Sequence, residues 1–318
     1  MSHAYHRMFR AHTGYRWWKP LVAIAIGFAL YFGFSLVWQQ GLVLIVEAVG
    51  GRQAGVDLVD AAQRNPQDSS NPLVMLLTLG ALATMVPAVI IAVRLAGLGG
   101  WGQLTSVVGR LRWRWLARCI VPGAVFIGVS IGLNVLTSSI WPEQGAVTAP
   151  GTATPPAALF ASIVIILLFV PLQAAGEEFA FRGLAMQSLG SWVRWPVVAI
   201  VVPVVGFAFA HSYNAWGRLD VSALGIAFAY LTWRTGGLEA GIVAHVINNV
   251  VVFIIAAPVV QVSQNDGSPI GAGITVVSAG VYVLLVEWQA RRHSPQRTGG
   301  GPVENASAMS DDPRRLAR

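Results

Sequence analysis

Charge is what this sequence has least of. Only 11% of its 318 residues are Asp, Glu, Lys or Arg, while 55% are hydrophobic. Soluble domains carry about a quarter charged residues, so a soluble globular chain is excluded and an integral membrane protein is implied. Cysteine is nearly missing too. Cys119 stands alone, which rules out an intrachain disulfide framework; it opens an apolar run and reads as a small inert hydrophobe. There is no H-E-x-x-H, no pair of aspartates inside an apolar run and no internal repeat. The commonest zinc-protease motif, an aspartyl dyad and a repeat architecture are thereby removed. "GVSIG", Gly128 to Gly132, fits G-x-S-x-G, but its run holds no histidine and no strand-to-helix turn, so it is not read as a nucleophile.

The net charge of +7 does not point to nucleic acid. The basic residues cluster at the chain ends and in one connection, where orientation signals sit. The opening "MSHAYHRMFRAHTGYRWWKP" is basic and leads into Leu21 to Val46. That run exceeds a secretory h-region of about 7–15 residues and lacks a small-x-small cleavage site, so a retained first helix is expected. Runs long enough to span follow at 20–46, 72–97, 119–137, 157–175, 196–211, 220–234, 237–258 and 270–288. The fold class expected is therefore all-α, a polytopic helical membrane protein with about eight transmembrane helices. Arg7, Arg10, Arg16 and Lys19 precede the first run; Arg110, Arg112, Arg114 and Arg118 occupy 98–118 without an acid. The connection 47–71 instead sets Glu47, Asp57, Asp60 and Asp68 against Arg52 and Arg64. This alternation places both termini in the cytoplasm, with the plasma membrane as the expected location.

The expected organisation is a cytoplasmic segment at 1–19, N-terminal transmembrane helices over 20–156, a core over 157–258, a last transmembrane helix within 259–290, and a disordered basic tail over 291–318. Within 101–118, Leu104, Val107, Val108, Leu111 and Trp115 share one helical face flanked by Trp and Arg. That pattern predicts a helix lying in the cytoplasmic headgroup region.

Against this apolar background stands "AAGEEFAFRGLAM", Ala174 to Met186. A charge at the centre of a membrane helix costs about 2.5–3.5 kcal/mol on insertion scales, and an aliphatic residue returns only about 0.3–0.6. Glu178 and Arg182 are four apart and share a helical face, so an internal ion pair lessens the cost of both. Glu177 is rotated about 100° away and keeps no such partner. The stretch has no breaker but Gly183, so its helix is expected to run on to about 189. Two histidines also lie in apolar runs, His211 in "GFAFAHS" and His245 in "TGGLEAGIVAHVINNV". In the second stretch Gly237, Gly241, His245 and Asn249 recur every four residues as one stripe. Each stretch alone also suits a polar packing seam. Together an acid, two imidazoles and an amide suffice to activate water and stabilise an oxyanion, or to hold a metal that does so.

The succession E-E-x-x-x-R, F-x-x-x-H and H-x-x-x-N over residues 157–258 resembles the CPBP family. This is the group of type II CAAX prenyl endopeptidases and bacteriocin-processing enzymes, also called Abi. The resemblance implies an intramembrane endopeptidase with its cavity between transmembrane helices. It implies that Glu177 activates water, that Glu178 and Arg182 support the site, that His211 and His245 position water or metal, and that Asn249 stabilises the oxyanion. The family label implies a divalent metal, zinc, with a metal-free route also open. The implied partners are a peptide or protein substrate, prenylated or leader-bearing, and membrane lipids. The alternative is a non-catalytic Abi-type immunity or scaffold protein that uses the same cluster for helix packing. Glu239, at a helix N-terminus, is outside the motifs and is read as structural. Depth is the difficulty. At about 1.5 Å per residue, His211 lies ~25 Å and His245 ~12 Å from the cytoplasmic ends of their runs. They converge only if the fifth run begins late, tilts, or enters through a re-entrant stretch near Trp195-Pro196.

Overall fold

The computed structural model describes residues 2–141, 152–259 and 267–300. It opens with a short strand, β1 (His3–Ala4), and a 3-10 helix (Tyr5–Ala11). Helices α1 (Lys19–Gly50), α2 (Arg52–Arg64), α3 (Pro72–Ala83), α4 (Met85–Leu95), α5 (Trp101–Thr105) and α6 (Trp113–Ile140) follow. Next comes α7 (Pro156–Glu177), which passes through a π-helical stretch (Glu178–Ala185) into α8 (Met186–Trp192). The chain continues as α9 (Pro196–Phe209), α10 (Ala215–Thr235), α11 (Glu239–Ala256) and α12 (Pro269–His293), and ends in β2 (Thr298–Gly299).

Proline punctuates this bundle. Pro20, Pro72, Pro156, Pro196 and Pro269 each sit at the first or second position of a helix. There the missing N–H has no intrahelical acceptor to lose and φ is already set. Pro87 does the opposite. It removes a bond near the middle of the second apolar run and separates α3 from α4 at Thr84. The Thr84 hydroxyl donates to Ala81 O at 2.6 Å, and Ser35 of α1 lies 3.2 Å from it.

Among the described residues six helical segments are long and apolar enough to cross a membrane: Lys19–Gly50, Pro72–Leu95, Trp113–Ile140, Pro156–Trp192, Glu239–Ala256 and Pro269–His293. The chain is an all-α, multi-pass integral membrane protein. Its outer surface is a belt of exposed aliphatic and aromatic side chains such as Phe28, Phe32, Val37, Phe160, Leu168 and Leu284. Helices stand in all eight expected runs, but the count of eight spans is not reproduced. The 14-residue α9 is too short, and the 21-residue α10 carries Arg218, Asp220 and Arg234.

Two other expectations are corrected. No headgroup helix covers 101–118. The helix stops at Thr105 and restarts at Trp113, and Leu104, Val107 and Trp115 are buried. The stripe faces protein rather than lipid: the N-terminal 3-10 helix covers Leu104 and Val107, with the Tyr5 hydroxyl donating to Leu104 O and the Gln103 amide to Met8 O at 2.6 Å, while Trp115 packs with Cys119 and Phe126 in a second apolar cluster. The tail also begins later than expected. Arg291, Arg292 and His293 complete the last turn of α12, and β2 pairs antiparallel with β1, His3 opposite Gly299 and Ala4 opposite Thr298. Residues 301–318 of the expected tail lie outside the described residues.

The long Pro156–Trp192 segment settles the depth problem. The fifth helix does start at Pro196, so it is neither late nor re-entrant. Instead the fourth runs on to Trp192, about 21 Å past Glu178. Helix α9, also 14 residues, climbs back along it. His211 therefore returns to the level of the acid pair, and the Phe181–Phe207 ring contact at 5.0 Å fixes the register of the two.

Candidate active site

Glu177 and Glu178 lie where α7 gives way to π-helix. A π turn is rare within α-helices and is frequently found at functional sites. Both acids are buried, Glu177 to 6% exposure and Glu178 to 0%. The expected ion pair is present: Arg182 Nη1 donates to Glu178 Oε1 at 3.0 Å. The guanidinium also stacks over Phe207 at 4.6 Å and faces Phe228 at 5.8 Å. Aromatic faces are the natural neighbours of a weakly hydrated cation in an apolar setting.

His245 of α11 stands between the two acids. Its Nδ1 lies 2.9 Å from Glu178 Oε1 and its Nε2 lies 3.5 Å from Glu177 Oε2. A carboxylate oxygen only accepts, so Nδ1 carries a proton and donates it to Glu178. The Nε2–Oε2 contact has the length of an ion pair and is not a hydrogen bond, so Oε2 of Glu177 keeps its acceptor capacity. The Arg182 guanidinium offsets the charge of Glu178, which lessens the cost of burying both. The stripe on α11 takes its sense from this contact. A Cβ on Gly241 would lie 2.8 Å from Glu178 Oε2, so this glycine makes room for a carboxylate.

Asn249, one turn beyond His245, joins by a route the motifs do not contain. Its Nδ2 donates to Gln173 Oε1 at 3.2 Å, and Gln173 Nε2 donates to Glu177 Oε1 at 2.6 Å. Asn248 Nδ2 in turn donates to Asn249 Oδ1 at 3.1 Å. Gln173, buried to 4% exposure, is the site residue that sequence reasoning missed. The signal was present: a primary amide in an apolar run, four residues before an acid.

His211 follows α9 and, like Asn249, is only partly buried. Its Nδ1 lies 2.8 Å from Phe207 O. A carbonyl only accepts, so Nδ1 is protonated, and in the neutral ring Nε2 keeps its lone pair. The ring contacts Phe207 at 4.7 Å and Tyr213 at 5.3 Å, while Phe207 also touches the His245 ring at 6.2 Å. The structure thus brings together two hydrogen-bonded groups, Arg182–Glu178–His245 and Glu177–Gln173–Asn249, which meet at the 3.5 Å contact of His245 with Glu177, and sets His211 against the aromatic ring that borders them. Glu239 is fully buried and is held instead by Arg112 at 2.6 Å.

A resident zinc needs three or four side-chain donors with free lone pairs. Among the described residues no three His, Cys, Asp or Glu side chains are so placed. Within the cluster, Nδ1 of His245 is committed to Glu178, and Glu178 already faces a guanidinium. The donor set does not fit the metal that the family label implies, and no step below passes through one.

What has been described is a membrane-embedded acid–imidazole–amide cluster in a helical bundle. The comparisons agree with that class. Residues 158–251 match the family model described as type II CAAX prenyl endopeptidase Rce1-like, consistent with the CPBP pattern of the motifs. One curated relative, the uncharacterized protein YyaK of Bacillus subtilis (strain 168), is 29% identical over 90 residues, which is 26% of this chain. The match spans 30% of that relative's length. No solved structure matches.

Proposed function

We propose that this protein is an intramembrane endopeptidase that hydrolyses a peptide bond with water activated by Glu177. The observation that carries the reading is the convergence of two buried carboxylates on one imidazole, inside a segment that resembles Rce1-like endopeptidases. Glu177 is held through Oε1 by Gln173, and its Oε2 has no hydrogen bond from the protein. As an ionised carboxylate, Glu177 is the base. It takes a proton from water as the oxygen attacks the scissile carbonyl, then delivers it to the leaving amine. His211, with Nε2 as an acceptor, orients the same water. Asn249 has one N–H committed to Gln173 and offers the other to the developing oxyanion. Arg182 and Glu178 hold His245 in its tautomer.

The substrate class is a peptide or protein segment reaching the cluster from the bilayer, with a prenylated or leader-bearing chain as the working case. The pairing of residues 3–4 with 298–299 brings these residues to one side of the bundle. With the Arg-rich connections, that supports cytoplasmic termini in a plasma-membrane protein.

The test uses the full chain in liposomes with internally quenched peptides, one farnesylated near its C-terminus and one unmodified, and mass spectrometry of the products. Wild type cleaves; Glu177→Gln loses about 10²–10⁴-fold in rate and keeps its melting temperature. Full activity in Glu177→Gln removes the base. Chelators leave the rate unchanged, whereas a loss restored by added zinc would overturn the metal-free route. One observation favours the rival packing role: the same bonds tie α7 to α11. Under it Glu177→Gln lowers stability and no peptide is cut by either form.

A further inference from the structure

We propose that Gln173 is a positioning residue that orients the general base and the oxyanion donor with a single side chain. The inference rests on the proteolytic reading and adds a residue to it. Residues 159–173, "LFASIVIILLFVPLQ", contain two polar side chains, Ser162 and Gln173. A primary amide in such a run is commonly interhelical glue, worth about 0.6 kcal/mol on average. Glue alone does not account for where this amide's two ends go. Its donor end meets Glu177 at 2.6 Å and its acceptor end meets Asn249 at 3.2 Å.

The chain of amides runs in one direction. Asn248 donates to Asn249, Asn249 donates to Gln173, and Gln173 donates to Glu177. Flipping Asn249 would face its own NH2 with that of Asn248, and flipping Gln173 would turn a carbonyl toward a carboxylate. Each amide is therefore locked by the next. Among the groups that stay outside the chain of bonds are Oε2 of Glu177 and the second N–H of Asn249. Hydrolysis needs those two, a base for water and a donor for the carbonyl oxygen. Gln173 fixes both, because Glu177 sits one turn along its own helix while Asn249 sits on α11. It couples the two elements that must hold their spacing while the carbonyl becomes tetrahedral. A misplacement of about 1 Å in such a geometry lowers rate by about 10²-fold.

Gln173→Met keeps the length and volume of the side chain and removes both bonds. On the quenched farnesylated peptide in liposomes it should lower kcat by about 10²-fold with KM unchanged. Adding Asn249→Ala to Gln173→Met should lower kcat by less than the product of the two single losses, because part of the amide's effect passes through Asn249. Wild-type kcat in Gln173→Met, or two losses that multiply, overturns the proposal. Glu177→Gln, run beside it, keeps the two ideas apart. If Glu177→Gln is inactive while Gln173→Met is not, the positioning role fails and the protease reading stands. Infrared spectra of the resting protein give a second reading that needs no substrate. The carboxylate band lost in Glu177→Gln should shift in Gln173→Met, and an unmoved band overturns the proposal whatever the peptide does.

Discussion

Glu178 and Glu239 are both fully buried, both face a guanidinium and both border α11, yet their surroundings differ in what is left over. Glu239 is saturated. Its Oε1 accepts from the Arg112 backbone N at 3.0 Å and from Nε at 2.8 Å, and its Oε2 accepts from Nη2 at 2.6 Å. Arg112 Nη1 goes on to Thr235 O and Gln296 O. Glu178 gathers Arg182 and His245 on one oxygen, while its Oε2, Oε2 of Glu177 and Nε and Nη2 of Arg182 have no hydrogen bond from the protein. A saturated pair is architecture: it clamps α6, α10, α11 and the C-terminal segment together. A buried cluster with polar capacity remaining is where local rules give way to chemistry.

Breaking the clamp should therefore do what breaking the cluster does not. Arg112→Leu leaves the Glu239 charge buried and alone, and is expected to destabilise the fold by about 3–5 kcal/mol, read as a fall in melting temperature in detergent. A loss no larger than that of Glu177→Gln would erase the distinction. Gly241→Ala sharpens it from the other side. The new methyl would displace a carboxylate pinned by both Arg182 and His245, so kcat should fall about tenfold, or about 1.4 kcal/mol, with a smaller change in stability. Wild-type kcat there would mean the Glu178 contact is not under strict geometric control.

The N-terminal 3-10 helix extends the comparison to a third region, which should fail without unfolding the bundle. A Cβ on Gly190 would lie 1.9 Å from His6 O, a backbone atom that cannot swing away. Gly190→Ala should release residues 3–11 from α8, measured as faster amide exchange confined to them; protection equal to wild type counts against the docking. The smallest effect is that of pH. Burial holds His6 below the usual imidazole value of 6.5, with Arg7 adding to it against a backbone bond to Arg194. His3, by burial and then Arg7, and His12, by burial and then Lys19, shift the same way. The folded state then binds these protons less readily than the unfolded one. The stabilisation is complete above 6.5 and is lost as pH falls from there through the lower folded values. Protection against amide exchange over residues 3–12, taken relative to the intrinsic rate at each pH, should weaken as pH falls below the usual value of 6.5, and His6→Asn should flatten that loss.

The parts of this molecule legible in the sequence were those made by near neighbours in the chain. Apolar runs set the helices, and the four-residue spacing of Glu178 and Arg182 gave their pair directly. Where two distant segments decide the outcome, periodicity misled or was silent. Leu104 and Val107 show a good amphipathic stripe, and nothing local says that Tyr5 and Phe9 will cover it. Arg112 and Glu239 are 127 positions apart and carry no common pattern. His211 looked too deep because the fourth run was ended at 175, where charge begins. The buried pairing of Arg182 with Glu178 lets the helix continue to Trp192. Gln173 was missed for a different reason, since its i,i+4 relation to Glu177 was available and a lone amide drew no attention.

The pairing of His3–Ala4 with Thr298–Gly299 also sets an order of events. A ribosome delivers the first of these strands almost three hundred residues before the second, and the surface of α8 that receives the 3-10 helix also arrives late. Every spanning segment must already be threaded before the two ends can meet. Closure at that end is a late act of biogenesis, and a fusion partner attached ahead of residue 3 would be felt there before anywhere else.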